Sequence, residues 1–301
     1  MTRHVIVTGA NKGIGLALCA EILARHSDTS VFLCSRDVAR GQAAAASLGA
    51  AAHDRVTVVP LDVGDGESVA AAAAIVSAKL GDAKLYGLVN NAGMLPTAAD
   101  ASAMVDTLNV NVRGPKRVVD AFVPLMDAQG GRIVHISSAA GPSFVAKCSA
   151  ERRAAFIDPA VTWDAIEAVM AENVELAKAN APTASFVDKG FFSEPGAYYI
   201  YGLSKACLNM YNHVLARERP SLFVSACTPG FIETDLSAPM AARAGKTAAD
   251  MGMKSPKDGT VSAMALLFGP VGESGRYFGS DAVRSPLDKY RAPGDAPYTG
   301  E

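Results

Sequence analysis

The sequence predicts a single α/β domain, a doubly wound parallel sheet of about seven strands with helices on both faces. Three observations predict this fold class. Short β-branched apolar runs alternate with alanine-rich helical stretches. Strands such as Val5-Ile6-Val7 lack polar alternation, which is typical of strands that are buried on both faces. A glycine-rich loop joins the first strand to the first helix, so ligands are expected at the carboxyl edge of the sheet.

Seven runs along the chain are expected to be strands, with helices between them. They cover residues 4–8, 30–34, 55–61, 85–90, 132–137, 222–226 and 276–279. About 60 residues separate the fifth strand from the helix that carries Tyr201, which is far more than a loop needs. An insertion at about 139–197 must therefore hold extra structure. We expect one domain over residues 1–283, followed by a proline-containing, irregular surface tail over 284–301.

An amphipathic helix is expected within the insertion, after Thr162, whose side chain suits a helix amino terminus. The opposite face of this helix is acidic, so its apolar stripe is expected to pack on the domain. The stripe comprises Trp163, Ile166, Val169, Met170 and Val174.

The composition of the chain limits the kinds of partner and the cellular compartment that we expect. The 301-residue chain is 50% hydrophobic and 19% charged, with a formal net charge of -2. It has no block of Lys and Arg, so we expect a small-molecule substrate and no nucleic acid. No apolar run approaches the roughly 18 residues of a membrane span, so we expect a cytoplasmic protein without a membrane partner. The five scattered cysteines fit a reducing compartment, with buried thiols and no metal site.

The loop Thr8-Gly9-Ala10-Asn11-Lys12-Gly13-Ile14-Gly15 predicts a dinucleotide site, because it follows a strand and opens a helix. Gly9 permits the tight turn, Gly13 lets the backbone approach a pyrophosphate, and Gly15 allows close helix packing. The free N–H groups at the helix amino terminus would bind the phosphate.

Arg36 and Lys12 favour NADPH over NADH. A cation after the second strand binds the 2′-phosphate of the cofactor, whereas an acid there binds the free 2′-hydroxyl. Arg36 follows that strand, and Lys12 projects from the glycine loop toward the same corner. Asp37 is the weaker candidate for a ribose acid, because its position suits the start of a helix. Asp62 closes the third strand, where it can accept a hydrogen bond from adenine or, alternatively, cap a helix.

Tyr201 and Lys205 are the candidate catalytic pair. They lie four residues apart in a helical stretch, so both side chains share one face. A nearby ammonium lowers the pKa of a phenol, and each pKa unit corresponds to about 1.4 kcal/mol. Lys205 is therefore expected to bring Tyr201 toward proton exchange at neutral pH. By itself this spacing is also found on ordinary surface helices.

Together with the other motifs, this pair resembles the short-chain dehydrogenase/reductase family, which implies a Rossmann fold. The glycine loop is similar to the cofactor loop of the family, and Asn90-Asn91-Ala92-Gly93 to its sheet-stabilising motif. The strand 131–138 ends in the catalytic serine position, and Pro229-Gly230-Phe231-Ile232-Glu233-Thr234 resembles the segment beside the nicotinamide. The resemblance runs in the family's motif order over nearly the whole chain.

The resemblance implies a role for each matching residue. Tyr201 would protonate the carbonyl oxygen as hydride arrives, Ser138 would hydrogen-bond that oxygen, and Lys205 would also hold the nicotinamide ribose. Asn111 would hold a water that links Lys205 to solvent, and Thr234 would bond the carboxamide. The expected cofactor-binding residues are Gly9, Asn11, Lys12, Gly13, Ile14, Gly15, Arg36, Asp62, Val63, Asn91, Tyr201, Lys205, Pro229, Gly230, Ile232 and Thr234. Among the neighbouring candidates, Ser137, Asn109 and His135 are expected to be structural. Tyr201 is preferred over Tyr198 and Tyr199 because these two have no lysine four residues later.

A finer resemblance is to the monomeric carbonyl reductases, through the glycine loop, residues 35–42 and the long insertion. It implies a monomer, in which the insertion helix covers the surface that other relatives use to form dimers. Ser138, Met94, Phe144 and Phe231 are expected to line the substrate pocket, and Phe192 is a further candidate. An apolar pocket suits ketones, aldehydes and quinones.

The first hypothesis is therefore an NADPH-dependent reductase of carbonyl compounds. An oxidoreductase dedicated to one metabolite, of steroid, pterin or alkaloid type, is the second. The third is a regulatory protein that binds NADPH without turnover, which the intact catalytic set disfavours.

Overall fold

The computed structural model describes residues 2–49, 54–193 and 196–300 of the chain. Within these residues, seven strands form one sheet in which every neighbouring pair is parallel. The strands are β1 (Arg3–Val7), β2 (Thr29–Ser35), β3 (Val56–Pro60), β4 (Leu85–Asn90), β5 (Arg132–Ile136), β6 (Phe223–Cys227) and β7 (Arg276–Phe278). Their spatial order is β3-β2-β1-β4-β5-β6-β7. The predicted doubly wound sheet is confirmed.

Helices cover the sheet, and three of them begin at an aspartate. The helices are α1 (Gly13–Arg25), α2 (Val38–Ser47), α3 (Gly66–Leu80), α4 (Ala101–Leu108), α5 (Gly114–Phe122), α6 (Ala140–Val145), α7 (Ala150–Ile157), α8 (Trp163–Lys178), α9 (Thr183–Asp188), α10 (Ala197–Glu218), α11 (Ala238–Arg243) and α12 (Val261–Phe268). The side chains of Asp37, Asp65 and Asp100 each accept a backbone N–H in the first turn of α2, α3 and α4. In the part of the chain that the structure describes, no helix is long and apolar enough to cross a membrane.

Apolar side chains cover both faces of the sheet. In β1, Ile6 packs into the hydrophobic cluster on one face, while Val5 and Val7 pack into the cluster on the other. All three are fully buried, which explains why the strand shows no polar alternation. The five cysteines are also buried and free, as predicted.

The insertion before Tyr201 contains helices α6, α7, α8 and α9. The Thr162 hydroxyl accepts the N–H of Ala165 and caps α8, as predicted. The apolar stripe of α8 packs against α4 and α10, with Ile166 and Met170 fully buried. A bidentate ion pair joins Glu167 of α8 to Arg113, with N–O distances of 2.6 Å and 2.9 Å. The ion pair therefore fastens the insertion to the segment before α5, and packing joins it to α10, the helix that carries Tyr201.

The tail over 284–300 contains no helix and pairs only through an isolated bridge between Phe278 and Arg284. The segment nevertheless folds back on the domain, because Arg291 is only 9% exposed and donates two hydrogen bonds to Asp281, at 3.0 Å and 2.6 Å. It is therefore part of the folded body and not only a surface extension.

Candidate active site

A cavity of about 840 Å³ opens at the carboxyl edge of the sheet. It runs from the glycine loop to the end of β5 and the start of α10. The predicted cofactor residues that line it are Gly9, Asn11, Lys12, Gly13, Ile14, Arg36, Asp62, Val63, Asn91, Tyr201, Lys205, Pro229, Gly230, Ile232 and Thr234. Gly15 does not line the cavity. The fold thus brings residues from five separate motifs to one place.

The glycine loop is shaped by close contact with the end of β4. Gly9 has φ +61° and Gly13 has φ +56°, a region that favours glycine. A Cβ atom on Gly9 would lie 2.9 Å from the Cα of Ala92, and one on Gly15 would lie 2.5 Å from the Nδ2 of Asn91. That Asn91 amide donates to the carbonyl oxygen of Thr8 at 2.8 Å. Gly15 is therefore needed for the amide that fastens the loop, and not only for helix packing.

Charged residues lie at the glycine-loop end of the cavity. The Nζ of Lys12 lies 2.7 Å from the Oδ2 of Asp235, and Arg36 Nη1 lies 3.9 Å from Asp62 Oδ2. Both cations are largely exposed and line the cavity. Asp37 caps α2, as the sequence analysis expected. Asp62 Oδ1 accepts the N–H of Gly64 within a turn, so it does not cap α3.

Tyr201 and Lys205 lie on one face of α10 and both line the cavity. The Lys205 ammonium is 5.7 Å from the centroid of the Tyr201 ring and donates to the carbonyl oxygen of Ile136 at 2.9 Å. Lys205 is 4% exposed, and this burial lowers its pKa to about 8.

The pKa of the Tyr201 phenol is shifted in the direction opposite to the one expected from the sequence. We expected Lys205 to lower its pKa, but loss of hydration on burial raises it, opposed by a hydrogen bond with Ser138. Lys205 is held by the backbone of β5, and desolvation of the phenol prevails. Tyr201 therefore stays protonated at neutral pH.

Asn111 lies behind the cavity wall, in a single π-helical turn at Asn109–Arg113. Its side-chain oxygen accepts the N–H of Met94 at 2.8 Å, and its Nδ2 donates to the carbonyl oxygen of Met94 at 2.9 Å and to Ser204 Oγ at 3.0 Å. A Cβ atom on Gly93 would lie 3.3 Å from Asn111 Oδ1 and 3.7 Å from Lys205 Nζ. Asn111 and Lys205 thus flank the same glycine. The π-helical turn was not predicted from the sequence.

The neighbouring candidates make other contacts. Asn109 bonds the carbonyl oxygen of Gly64 at 3.1 Å and the guanidinium of Arg117. Ser137 donates weakly to the carbonyl oxygen of Lys205 at 3.5 Å. Tyr199 is buried and donates to Asn173 Oδ1 at 2.6 Å. His135 is fully buried beside Asn90, and its pKa falls to about 3 because burial disfavours the charged ring.

Comparison with known proteins identifies the family. A family profile described as short chain dehydrogenase matches residues 3–150. Short-chain dehydrogenase/reductase 1 of Saponaria officinalis is 30% identical, over 93% of this chain and 95% of its own. The chain belongs to the short-chain dehydrogenase/reductase family. As a member of this family, it is an oxidoreductase with a site for a nicotinamide cofactor.

Other relatives within the family are named as reductases or dehydrogenases. Carbonyl reductase (NADPH) 1 of Sus scrofa is 31% identical, over 83% of this chain and 85% of its own. The (+)-neomenthol dehydrogenase of Arabidopsis thaliana is 30% identical, over 78% of this chain and 84% of its own. The structure of salutaridine reductase from Papaver somniferum matches with a TM-score of 0.76 at 24% identity, over 91% of this chain and 99% of its own, which shows the shared fold.

The predicted substrate-side residues of this short-chain dehydrogenase/reductase divide into two groups. Ser138, Met94 and Phe231 line the cavity. Phe144 does not line the cavity, contrary to the prediction that it is a pocket residue. Its side chain is 1% exposed and packs edge to face against Tyr199, with ring centroids 5.0 Å apart. Phe192 belongs to the same aromatic cluster, at 5.2 Å from Phe144. These two phenylalanines bind the insertion to the domain.

Several cavity residues escaped the sequence analysis. They are Leu95, Tyr198, Leu236, Met240, Ser280, Tyr290, Arg291 and Pro293. Tyr198 is on the catalytic helix, three residues before Tyr201, and this spacing was the available signal. The tail residues gave no local signal, because their position depends on an ion pair with Asp281.

Proposed function

We propose that this chain reduces carbonyl compounds to alcohols with NADPH as the reductant. The observation that carries the proposal is one continuous cavity, with Tyr201, Lys205 and Ser138 at one end and the glycine loop with Arg36 at the other. Relatives that are named carbonyl reductase (NADPH) support the same activity.

The residues at the glycine-loop end fit a dinucleotide phosphate. Gly9 and Gly13 have positive φ angles and no side chains, so a pyrophosphate could approach the backbone of the loop closely. Arg36 and Lys12 supply two cations for a 2′-phosphate, Arg36 through its planar fork and Lys12 as a point charge. Lys12 would exchange its contact with Asp235 for the phosphate. Thr234, beside Gly13, would bond the carboxamide.

The chemistry at the other end needs one proton and one hydride. When bound, NADPH supplies the hydride, with its electron pair, to the carbonyl carbon. The C=O π bond breaks, and the oxygen takes the proton of the Tyr201 hydroxyl to give the alcohol. Lys205, with a pKa of about 8, is largely protonated at pH 7 and stabilises the phenolate that remains. Ser138 orients the oxygen through a hydrogen bond, and Asn111 would hold the water that returns a proton through Lys205.

Replacing Tyr201 by Phe tests the catalytic assignment. The variant keeps the ring and loses the proton, so we expect kcat to fall by at least about 100-fold, the usual contribution of a general acid. NADPH binding, followed by the fluorescence of the cofactor, should change little. Tyr198→Phe is the matched control on the same helix and should keep its kcat. Equal rates of NADPH oxidation in wild type and Tyr201→Phe would refute the proposal.

Replacing Arg36 by Ala tests the choice of cofactor. Loss of charge-assisted hydrogen bonds to the 2′-phosphate should raise the Kd for NADPH by about 10- to 100-fold. The Kd for NADH should change much less. Arg25→Ala, at the exposed end of α1, is the control for the loss of one positive charge. Similar losses for the two cofactors would remove the phosphate-binding role of Arg36.

A reductase dedicated to one metabolite is the second candidate. It is favoured by relatives such as (+)-neomenthol dehydrogenase, whose name specifies a single alcohol. The catalytic residues would be the same, so a panel of ketones, aldehydes and quinones separates the two. Comparable kcat/KM across the panel supports a general reductase, and activity on one ketone alone supports the dedicated enzyme.

We also propose that the chain is a monomer. Helix α8 packs against α4 and α10, and Arg113–Glu167 holds it there, so the surface that relatives use for dimers would be covered. Sedimentation equilibrium should give a mass near 31.1 kDa. A mass of twice that value at micromolar concentration would contradict the proposal.

A further inference from the structure

The tail of the chain forms part of the wall of the active-site cavity. Tyr290, Arg291 and Pro293 all line the same cavity as Tyr201. They belong to the segment after β7, which the family motifs do not cover. The tail is therefore close enough to a bound substrate to affect which substrate is chosen, provided that the proposed carbonyl reduction takes place in this cavity.

An ion pair holds this part of the tail in place. The Arg291 guanidinium donates to both carboxylate oxygens of Asp281, and to the carbonyl oxygens of Asp295 at 2.9 Å and Ala296 at 3.2 Å. The N–H of Gly294 donates to Asp281 Oδ2 at 3.1 Å. These contacts close the segment 281–296 into a fixed loop. Tyr290, next to Arg291, is thereby held at the cavity while its side chain remains 56% exposed.

Tyr290 lies at the reacting end of the cavity and not at the glycine-loop end. A second small cavity of about 10 Å³ is bordered by Tyr290, by Pro142 of α6 and by Thr228 after β6. Helix α6 begins two residues after Ser138. Tyr290 is therefore a neighbour of the segment that carries the catalytic serine.

The aromatic and charge character of this end indicates the substrate class. Tyr198, which is 54% exposed, lines the cavity together with Phe231 and Tyr290. Among the described residues that line this end, Lys205 is buried against a carbonyl oxygen and Arg291 is neutralised by Asp281. Arg291 therefore has no free charge for an ionic substrate, and aromatic faces are available for stacking.

We propose that Tyr290 contacts the substrate directly, that Asp281 and Arg291 are its positioning residues, and that the site prefers flat aromatic carbonyl compounds. Stacking of one aromatic pair corresponds to about a two- to tenfold change in affinity. The contribution of Tyr290 should appear in KM and in binding, since its hydroxyl takes no part in proton transfer.

The test compares α-tetralone, a bicyclic aromatic ketone, with cyclohexanone in wild type, Tyr290→Ala and Tyr290→Phe. We expect Tyr290→Ala to raise the KM for α-tetralone by about two- to tenfold, with kcat, the Kd for NADPH and the KM for cyclohexanone nearly unchanged. Tyr290→Phe should behave as wild type. Tyr298→Ala is the matched control, because Tyr298 is also a tail tyrosine but lies outside the cavity, against Arg284.

Two further measurements follow. One tests whether Asp281 positions Tyr290, and the other tests the contact between Tyr290 and the substrate independently of carbonyl reduction. Asp281→Asn should raise the KM for α-tetralone in the same direction as Tyr290→Ala, and combining the two should add little. Saturation-transfer NMR of α-tetralone with the protein saturated with NADP+, which has no hydride to donate, reports binding without turnover. Weaker transfer in Tyr290→Ala supports the contact even if reduction fails. The proposed contact would be overturned if saturation transfer to α-tetralone and its KM were unchanged in Tyr290→Ala. It would also be overturned if Tyr298→Ala changed these two quantities equally.

Discussion

Replacing Lys205 by Met should make the stability of the protein less dependent on pH. The Lys205 ammonium is buried, and its pKa falls from the ordinary value of 10.5 to about 8. Between these two values the unfolded chain binds a proton that the folded chain does not, so folding becomes more favourable as pH rises. Below pH 8 the folded protein must hold a desolvated ammonium, and this penalty is fully present.

The size of the effect follows from the pKa values. A difference of 2.5 pKa units corresponds to about 3 kcal/mol against folding at pH 7. At pH 9.5 the unfolded lysine is mostly protonated and the folded one mostly neutral, so the penalty falls to about 1.4 kcal/mol. The free energy of unfolding of the wild type, relative to Lys205→Met, should therefore rise by about 2 kcal/mol between pH 7 and pH 9.5.

Urea unfolding at the two pH values measures this difference. Any constant cost of leaving the carbonyl oxygen of Ile136 without its donor cancels, because it is present in the variant at both pH values. Lys79→Met, on the exposed last turn of α3, controls for the loss of a surface charge. If the difference between wild type and Lys205→Met were the same at pH 7 and pH 9.5, the reasoning from burial would be refuted.

Two other predictions concern the glycine loop and the insertion. Gly15→Ala places a Cβ atom 2.5 Å from the Asn91 amide and should weaken NADPH binding in a fluorescence titration. Gly66→Ala has open space around the new atom and should bind NADPH normally. Equal affinities of the two variants for NADPH would contradict the fastening role of Asn91. Phe144→Ala should lower the free energy of unfolding by about 3 to 5 kcal/mol in urea, because it empties the centre of a buried aromatic cluster. Val187→Ala, on the exposed side of the insertion, should cost much less, and a similar loss in both would argue against the packing role of Phe144.

The sequence predicted the sheet well because its strands are nearly pure apolar runs. Each predicted strand end lies within one residue of the observed end. Burial on both faces removes the ambiguity that a half-exposed strand would leave. The motif residues also converged, since the carboxyl ends of parallel strands share one edge.

Other features depend on contacts between distant segments and could not be inferred locally. Phe144 was expected in the pocket, but its partners Phe156, Phe191 and Tyr199 come from later in the chain and draw the ring into the insertion. The tail is polar and proline-containing, as a disordered segment would be, and the ion pair between Arg291 and Asp281 helps to hold it on the domain.

The hydrogen bonds between Asn91 and the glycine loop have a consequence for the strength of ligand binding. The Asn91 amide holds the carbonyl oxygens of Thr8 and Gly9, and the Thr8 hydroxyl accepts the backbone N–H groups of Asn91 and Ala92. The loop therefore keeps its curvature through bonds within the protein. A ligand that enters need not freeze a mobile segment, so little conformational entropy is lost when it binds.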